Sequence, residues 1–128
     1  MKAIISAMQS NGGRRLIATA TSSWVDANDR PAFSFRLAIR LIRTLQRRAY
    51  DDIVGTSQAV TSSGLDWTLV RLPMLTNKPG SPPPVADYVG AADLRLFWLS
   101  RNALADFLIG QFTDRTWIRK APVLSNRE

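Results

Sequence analysis

Apolar positions along this chain fall into two rhythms. Ile4, Ile5 and Met8 recur at helical spacing over residues 2–9, and Ser10-Asn11-Gly12-Gly13 stops that helix. Leu16–Thr21, LIATAT, is a short run without alternation, which predicts a parallel-sheet strand covered on both faces. The polar stretch Ser22 to Pro31 predicts a loop. Over residues 33–48, Phe35, Ala38, Ile39, Ile42 and Leu45 form an apolar stripe, widened by Leu37 and Leu41. Arg36, Arg40, Arg43 and Arg47 share the opposite face. Asp51 and Asp52 then offer an N-cap for a second helix, or a continuation, to Ser62, ended by Ser63-Gly64. Asp66–Leu72 reads as a strand with Trp67, Leu69 and Val70 in its core, stopped by Pro73.

Residues 74–90 read as loop, because Pro82, Pro83 and Pro84 exclude a helix and a central strand. Leu94–Leu99, LRLFWL, is a third candidate strand. Asn102–Phe112 is a helix that buries Leu104, Phe107, Leu108 and Phe112, capped by Ser100 or Asn102. Pro122–Leu124 is a last short strand. The alternation predicts one α/β domain over residues 1–128, with a largely parallel sheet and helices on both faces.

Composition narrows the chemistry. The chain has no cysteine and no histidine, which excludes disulfides, thiolate metal sites and every mechanism that uses a histidine base. Proton transfer is left to Asp, Tyr, Lys, Glu128 or a cofactor. No apolar run approaches the roughly 20 residues of a membrane span, and the start is too soon polar for a signal peptide. A cytoplasmic location without a membrane partner is expected. The net charge is +7. Five of its arginines lie between Arg36 and Arg48, and with no helix-turn-helix, zinc module or stacking platform nearby they read as a solvated helix face rather than a nucleic-acid surface.

The segments "AMQSNGGRRLIATATS", "SSGLDWTLVRLPMLT" and "LSRNALADFLIGQFTD" carry a resemblance that runs nearly end to end. The chain resembles the C-terminal part of an atypical short-chain dehydrogenase/reductase, of the NmrA-like, flavin-reductase/biliverdin-reductase-like kind. Ser63-Gly64-Leu65 followed by Asp66-Trp67-Thr68-Leu69-Val70-Arg71 is its most specific piece. Ser100-Arg101 with Ala105-Asp106-Phe107 matches a later segment, where Ala103 replaces an acidic residue. The resemblance implies a partial Rossmann-like, doubly wound parallel sheet lacking the N-terminal Gly-rich half. Gly12-Gly13, the only glycine pair, follows a helix and precedes a strand, the wrong order for a phosphate loop.

The resemblance also implies a cofactor and site residues. NADP or NAD is the expected dinucleotide. Thr21 or Ser22, at the strand exit, matches a catalytic hydroxyl beside the nicotinamide. Gln58 stands five residues before Ser63, where the group carries a Lys or Glu, and can hydrogen-bond a ribose. Pro73, Met74, Leu75 and Thr76 match the turn over the nicotinamide, with Leu72 extra between Arg71 and Pro73. Tyr88 matches a substrate-loop aromatic. Tyr50 is followed by Val54, so the Tyr-x-x-x-Lys pair is absent. Arg71 and Arg101 read as structural, Arg71 pairing with Asp66 or Asp106. Without the Gly-rich half the LIATAT strand keeps a free edge, which predicts a homo-oligomer formed across it. The implied function is an NAD(P)H-binding oxidoreductase domain that is not catalytically self-sufficient. The alternative is a non-catalytic dimeric or regulatory module of the same descent.

Overall fold

The computed structural model describes residues 1–79, 81–94 and 98–127, with residues 81 and 82 described by backbone alone. Helix α1 (Lys2–Ser10) leads into strand β1 (Arg15–Thr21). Helices α2 (Phe33–Leu45) and α3 (Arg47–Thr61) follow, separated by the single non-helical residue Gln46. Strands β2 (Asp66–Leu72), β3 (Met74–Thr76), β4 (Ser81–Asp87) and β5 (Trp98–Ser100) come next. Helix α4 (Arg101–Gly110) and strand β6 (Val123–Arg127) complete the order.

The main sheet runs β1-β2-β6-β4, with β1 parallel to β2, β2 parallel to β6, and β4 antiparallel at one edge. β3 and β5 form a separate parallel pair. Alternate residues of β2 enter two cores. Trp67 and Leu69 join Ile5, Leu16, Ala18 and Val60 under α1 and α3. Val70 joins Leu99, Ala103 and Leu124 under α4. Helices therefore cover both faces, as the α/β reading expected.

Several elements differ from the sequence reading. β1 does not have two equally covered faces. Leu16 and Ala18 are buried, Ile17 is half-buried, and Thr19 and Thr21 are exposed. Residues 74–90 are not a loop throughout, since they hold β3 and β4. The prolines are tolerated because β4 is an edge strand. Its pairing with β6 shifts register between Ser81 and Val85, where a missing N–H costs no ladder bond. Asp51 and Asp52 cap nothing, because helix resumes directly after Gln46 and places both in the second turn of α3. Phe112 is 74% exposed, because α4 ends at Gly110 and the helical stripe ends with it. Of LRLFWL, residues 95–97 lie outside the described residues, and Trp98 and Leu99 are strand.

The Ser-Ser-Gly-Leu turn explains its own sequence. Ser62 and Ser63 hydroxyls donate to the carbonyls of Gln58 and Val60, both at 2.7 Å, closing the end of α3. Gly64 takes φ of +72°, a left-handed conformation that suits glycine, and aims the chain into β2. At the start of α4 the Ser100 hydroxyl accepts from the Ala103 N–H at 3.3 Å, so the predicted N-cap is Ser100 rather than Asn102.

Candidate functional site

β1 and β2 run side by side in register to Thr21 and Leu72. At that carboxyl end the strands open onto a pocket of about 460 Å³, lined by Thr21, Leu72, Pro73 and Leu75 from below and by Asp52, Ile53, Thr56 and Ser57 of α3. In open α/β sheets, ligands sit beyond the carboxyl ends of parallel strands. The walls are mainly apolar, and a few hydroxyls converge on them. Asp52 is the only ionisable side chain among the lining residues.

Ser57 is the lining residue with an unsolved polar group. It is 1% exposed, and among the described residues its hydroxyl has no hydrogen-bond partner. A buried hydroxyl left unpaired costs about 1–3 kcal/mol, so its persistence beside a cavity fits a donor kept for a bound molecule. The Thr21 hydroxyl is hydrogen-bonded to that of Ser23, which holds the strand-end hydroxyl in place.

The expected site residues separate into two sets. Thr21, Pro73 and Leu75 line the pocket. Met74 and Thr76 alternate with them along β3 and do not line it. Met74 is 65% exposed, and the Thr76 hydroxyl accepts from the Lys78 N–H at 3.1 Å. Ser22 does not line it either; its N–H donates to the Leu72 carbonyl at 3.1 Å, tying the exit of β1 to that of β2. Gln58 is exposed at the end of α3, and its neighbour Ser57 takes the inward position. Tyr88 stands edge-on to Trp117 with centroids 6.0 Å apart. Burial, reinforced by Asp26, holds its phenol above the ordinary value, so Tyr88 remains protonated at neutral pH.

Sequence reasoning missed the α3 wall. Ile53, Ser57 and Val60 recur at helical spacing toward the sheet, a signal that was present in the sequence. It also missed the partner of Arg71. Neither Asp66 nor Asp106 pairs with it. Arg71 Nη1 and Nη2 bind the two carboxylate oxygens of Asp29 at 2.6 and 2.8 Å, both side chains being essentially buried. Arg101 donates to Asn77 at 2.6 Å, a structural link between α4 and the β3–β4 connection.

The sequence profile described as NAD(P)H-binding matches residues 1–115. This chain belongs to the NAD(P)H-binding family. Its cofactor class is therefore NAD or NADP. No curated protein matches the chain. Among solved structures it is similar to a short-chain dehydrogenase/reductase from Veillonella parvula, at 21% identity and a TM-score of 0.72, over 96% of this chain and 55% of that one. An oxidoreductase from Lactococcus lactis is similar at 16% identity and a TM-score of 0.69, over 99% and 52%. The Veillonella parvula enzyme in complex with NADP gives 21% identity and a TM-score of 0.56, over 98% and 56%. These likenesses show a Rossmann-type fold, and the chain spans about half the length of each structure. No helix among the described residues is long and apolar enough to cross a membrane.

Proposed function

We propose that this chain forms the nicotinamide side of an NAD(P)H-dependent oxidoreductase site of the NmrA-like kind. The carrying observation is the pocket at the ends of β1 and β2 with the unpaired Ser57 hydroxyl beside it. The nicotinamide, when bound, supplies hydride transfer. Thr21 donates its hydroxyl to a substrate carbonyl or to the cofactor amide. Ser57 donates to an acceptor of the nicotinamide or its ribose. Pro73 and Leu75 exclude water from one side of the ring. Among the described lining residues there is no tyrosine–lysine pair, so in this reading a proton reaches the product from water.

The site is not self-sufficient in this reading. No Gly-x-Gly-x-x-Gly turn occurs in the 128 residues, and a pyrophosphate needs such a cradle. Among the described residues β1 pairs on one side only, with β2. Beside it lies an apolar hollow of about 540 Å³ that includes Ile4, Ile17, Leu108 and Phe112. Another strand seats there, supplied by a second copy in a homo-oligomer. Size-exclusion with light scattering checks this, and a stable monomer at micromolar concentration contradicts it. A non-catalytic regulatory module is the second reading, favoured by the lack of a tyrosine–lysine pair among the described lining residues. Fluorescence titration with NADPH separates the two. Binding below about 10 μM, roughly −7 kcal/mol, supports an oxidoreductase site. The absence of binding at millimolar NADPH rules out autonomous catalysis.

A further inference from the structure

Helix α2 is amphipathic, yet none of its residues is buried. Phe35 and Ile39 are half-buried. Phe33, Leu37, Leu41 and Leu45, each four residues after the last, form a second apolar row along the helix. All four are exposed, Phe33 and Leu45 at 79% and 78%. Thirteen residues make this row about 20 Å long. Arg36 and Arg40 stand three residues after Phe33 and Leu37, hence beside them on the helix surface. Arg43 extends the basic flank, and Arg47 and Arg48 follow at the start of α3. No acidic residue occurs between Arg30 and Asp51. Among the described residues none of these five arginines makes an ion pair.

We propose that α2 docks on an anionic lipid surface, with the Phe33–Leu45 row in the acyl boundary and the arginines among the headgroup phosphates. An apolar row flanked lengthwise by arginine is the pattern of helices that lie in a membrane interface. The long arginine stems rest along the apolar row while their guanidinium groups reach the phosphates. A lipid surface receives both rows at once. A second copy fits less well, because antiparallel pairing of two α2 helices brings arginine rows together with no carboxylate on the helix to neutralise them. The membrane is thus met by a surface helix.

Vesicle co-sedimentation of the whole chain tests this. Vesicles of phosphatidylcholine and phosphatidylglycerol in equal parts are expected to retain the chain at low salt and release it at high salt. Vesicles of phosphatidylcholine alone are expected not to retain it. Arg40→Gln is expected to weaken retention about fivefold, and Leu37→Ser to weaken it at unchanged charge. Both positions are exposed, and circular dichroism checks that each variant remains folded. Arg115→Gln, which removes the same charge far from α2 in sequence, is expected to leave retention unchanged. Equal retention by neutral vesicles, an equal loss with Arg115→Gln, or no retention by anionic vesicles overturns the proposal. So does a dimer in vesicle-free solution that Leu37→Ser dissociates, because a second copy is then the occupant of the row.

Discussion

The guanidinium of Arg71 is fully buried in a bidentate ion pair with Asp29. Arg71 also donates to the carbonyls of Ala121 and Trp24, at 2.8 and 3.0 Å, and lies over the Trp24 ring. Asp29 accepts in addition from the N–H groups of Asp26 and Val89, at 2.8 and 3.0 Å. One charge pair therefore ties the loop after β1, the segment after β4 and the strand β2 that floors the pocket.

Asp29→Ala leaves a buried arginine without its counter-charge. Removing one partner of a buried pair costs about 3–5 kcal/mol. Urea unfolding is expected to show a loss of that size, whereas Asp66→Ala, at a partly exposed ion pair 4.0 Å long, is expected to change stability by less than about 1 kcal/mol. The resemblance to the short-chain family made Arg71 look structural but misassigned its partner, because Asp29 is forty-two residues away and sits in a segment without periodicity.

Gly90 closes the same junction. Its φ is +100°, and a Cβ there stands 2.3 Å from the Arg30 carbonyl oxygen. The Arg30 N–H donates to the Val89 carbonyl at 2.7 Å, so that strand of backbone has no room to retreat. Gly90→Ala is expected to destabilise the fold by at least about 1–3 kcal/mol of backbone strain, read as a lowered midpoint in urea. An unchanged midpoint contradicts the close approach.

Ser57→Ala separates binding from stability. Removing an unpaired buried hydroxyl is expected to leave the chain equally stable or stabilise it by up to about 1–3 kcal/mol. The same change is expected to weaken dinucleotide binding several-fold. Calorimetric unfolding and NADPH titration of the variant check the two halves. If the Thr21 hydroxyl binds the substrate carbonyl as proposed, Thr21→Val is expected to lower turnover in any active assembly more than it lowers cofactor affinity; an equal loss in both assigns it to the cofactor amide instead.

Tyr88 gives the fold an alkaline limit. Burial first, then Asp26, raises its phenol above 10.0, so the folded chain holds this proton more firmly than the unfolded chain. The associated stability is complete below the unfolded value. It declines as pH rises from about 10 through the higher folded value. Urea midpoints measured from pH 9 upward are expected to fall for the parent chain and to fall less steeply for Tyr88→Phe.

Legibility in the sequence followed the strength of each physical signal. α1, β1, β2 and α4 were readable because apolar spacing and the Ser62–Ser63–Gly64 stop act locally. β4 was hidden, because its prolines are acceptable only where the tertiary fold supplies an edge. The apolar side of α2 predicted burial, yet the fold leaves that helix on the surface, and local periodicity carries no information about which faces meet. In the site, Thr21, Pro73 and Leu75 followed from the resemblance. Ser57 did not, since its significance lies in what its hydroxyl fails to touch, which only packing reveals.

The central claim is that the nicotinamide end of the dinucleotide occupies the pocket between β1, β2 and α3. Titrating the isotope-labelled chain with reduced nicotinamide mononucleotide tests it most directly, because this fragment needs no pyrophosphate cradle. Amide shifts are expected to concentrate at residues 19–21, 52–57, 72, 74 and 75, with weaker binding in Ser57→Ala. Shifts clustered elsewhere, or none at millimolar ligand, contradict the account.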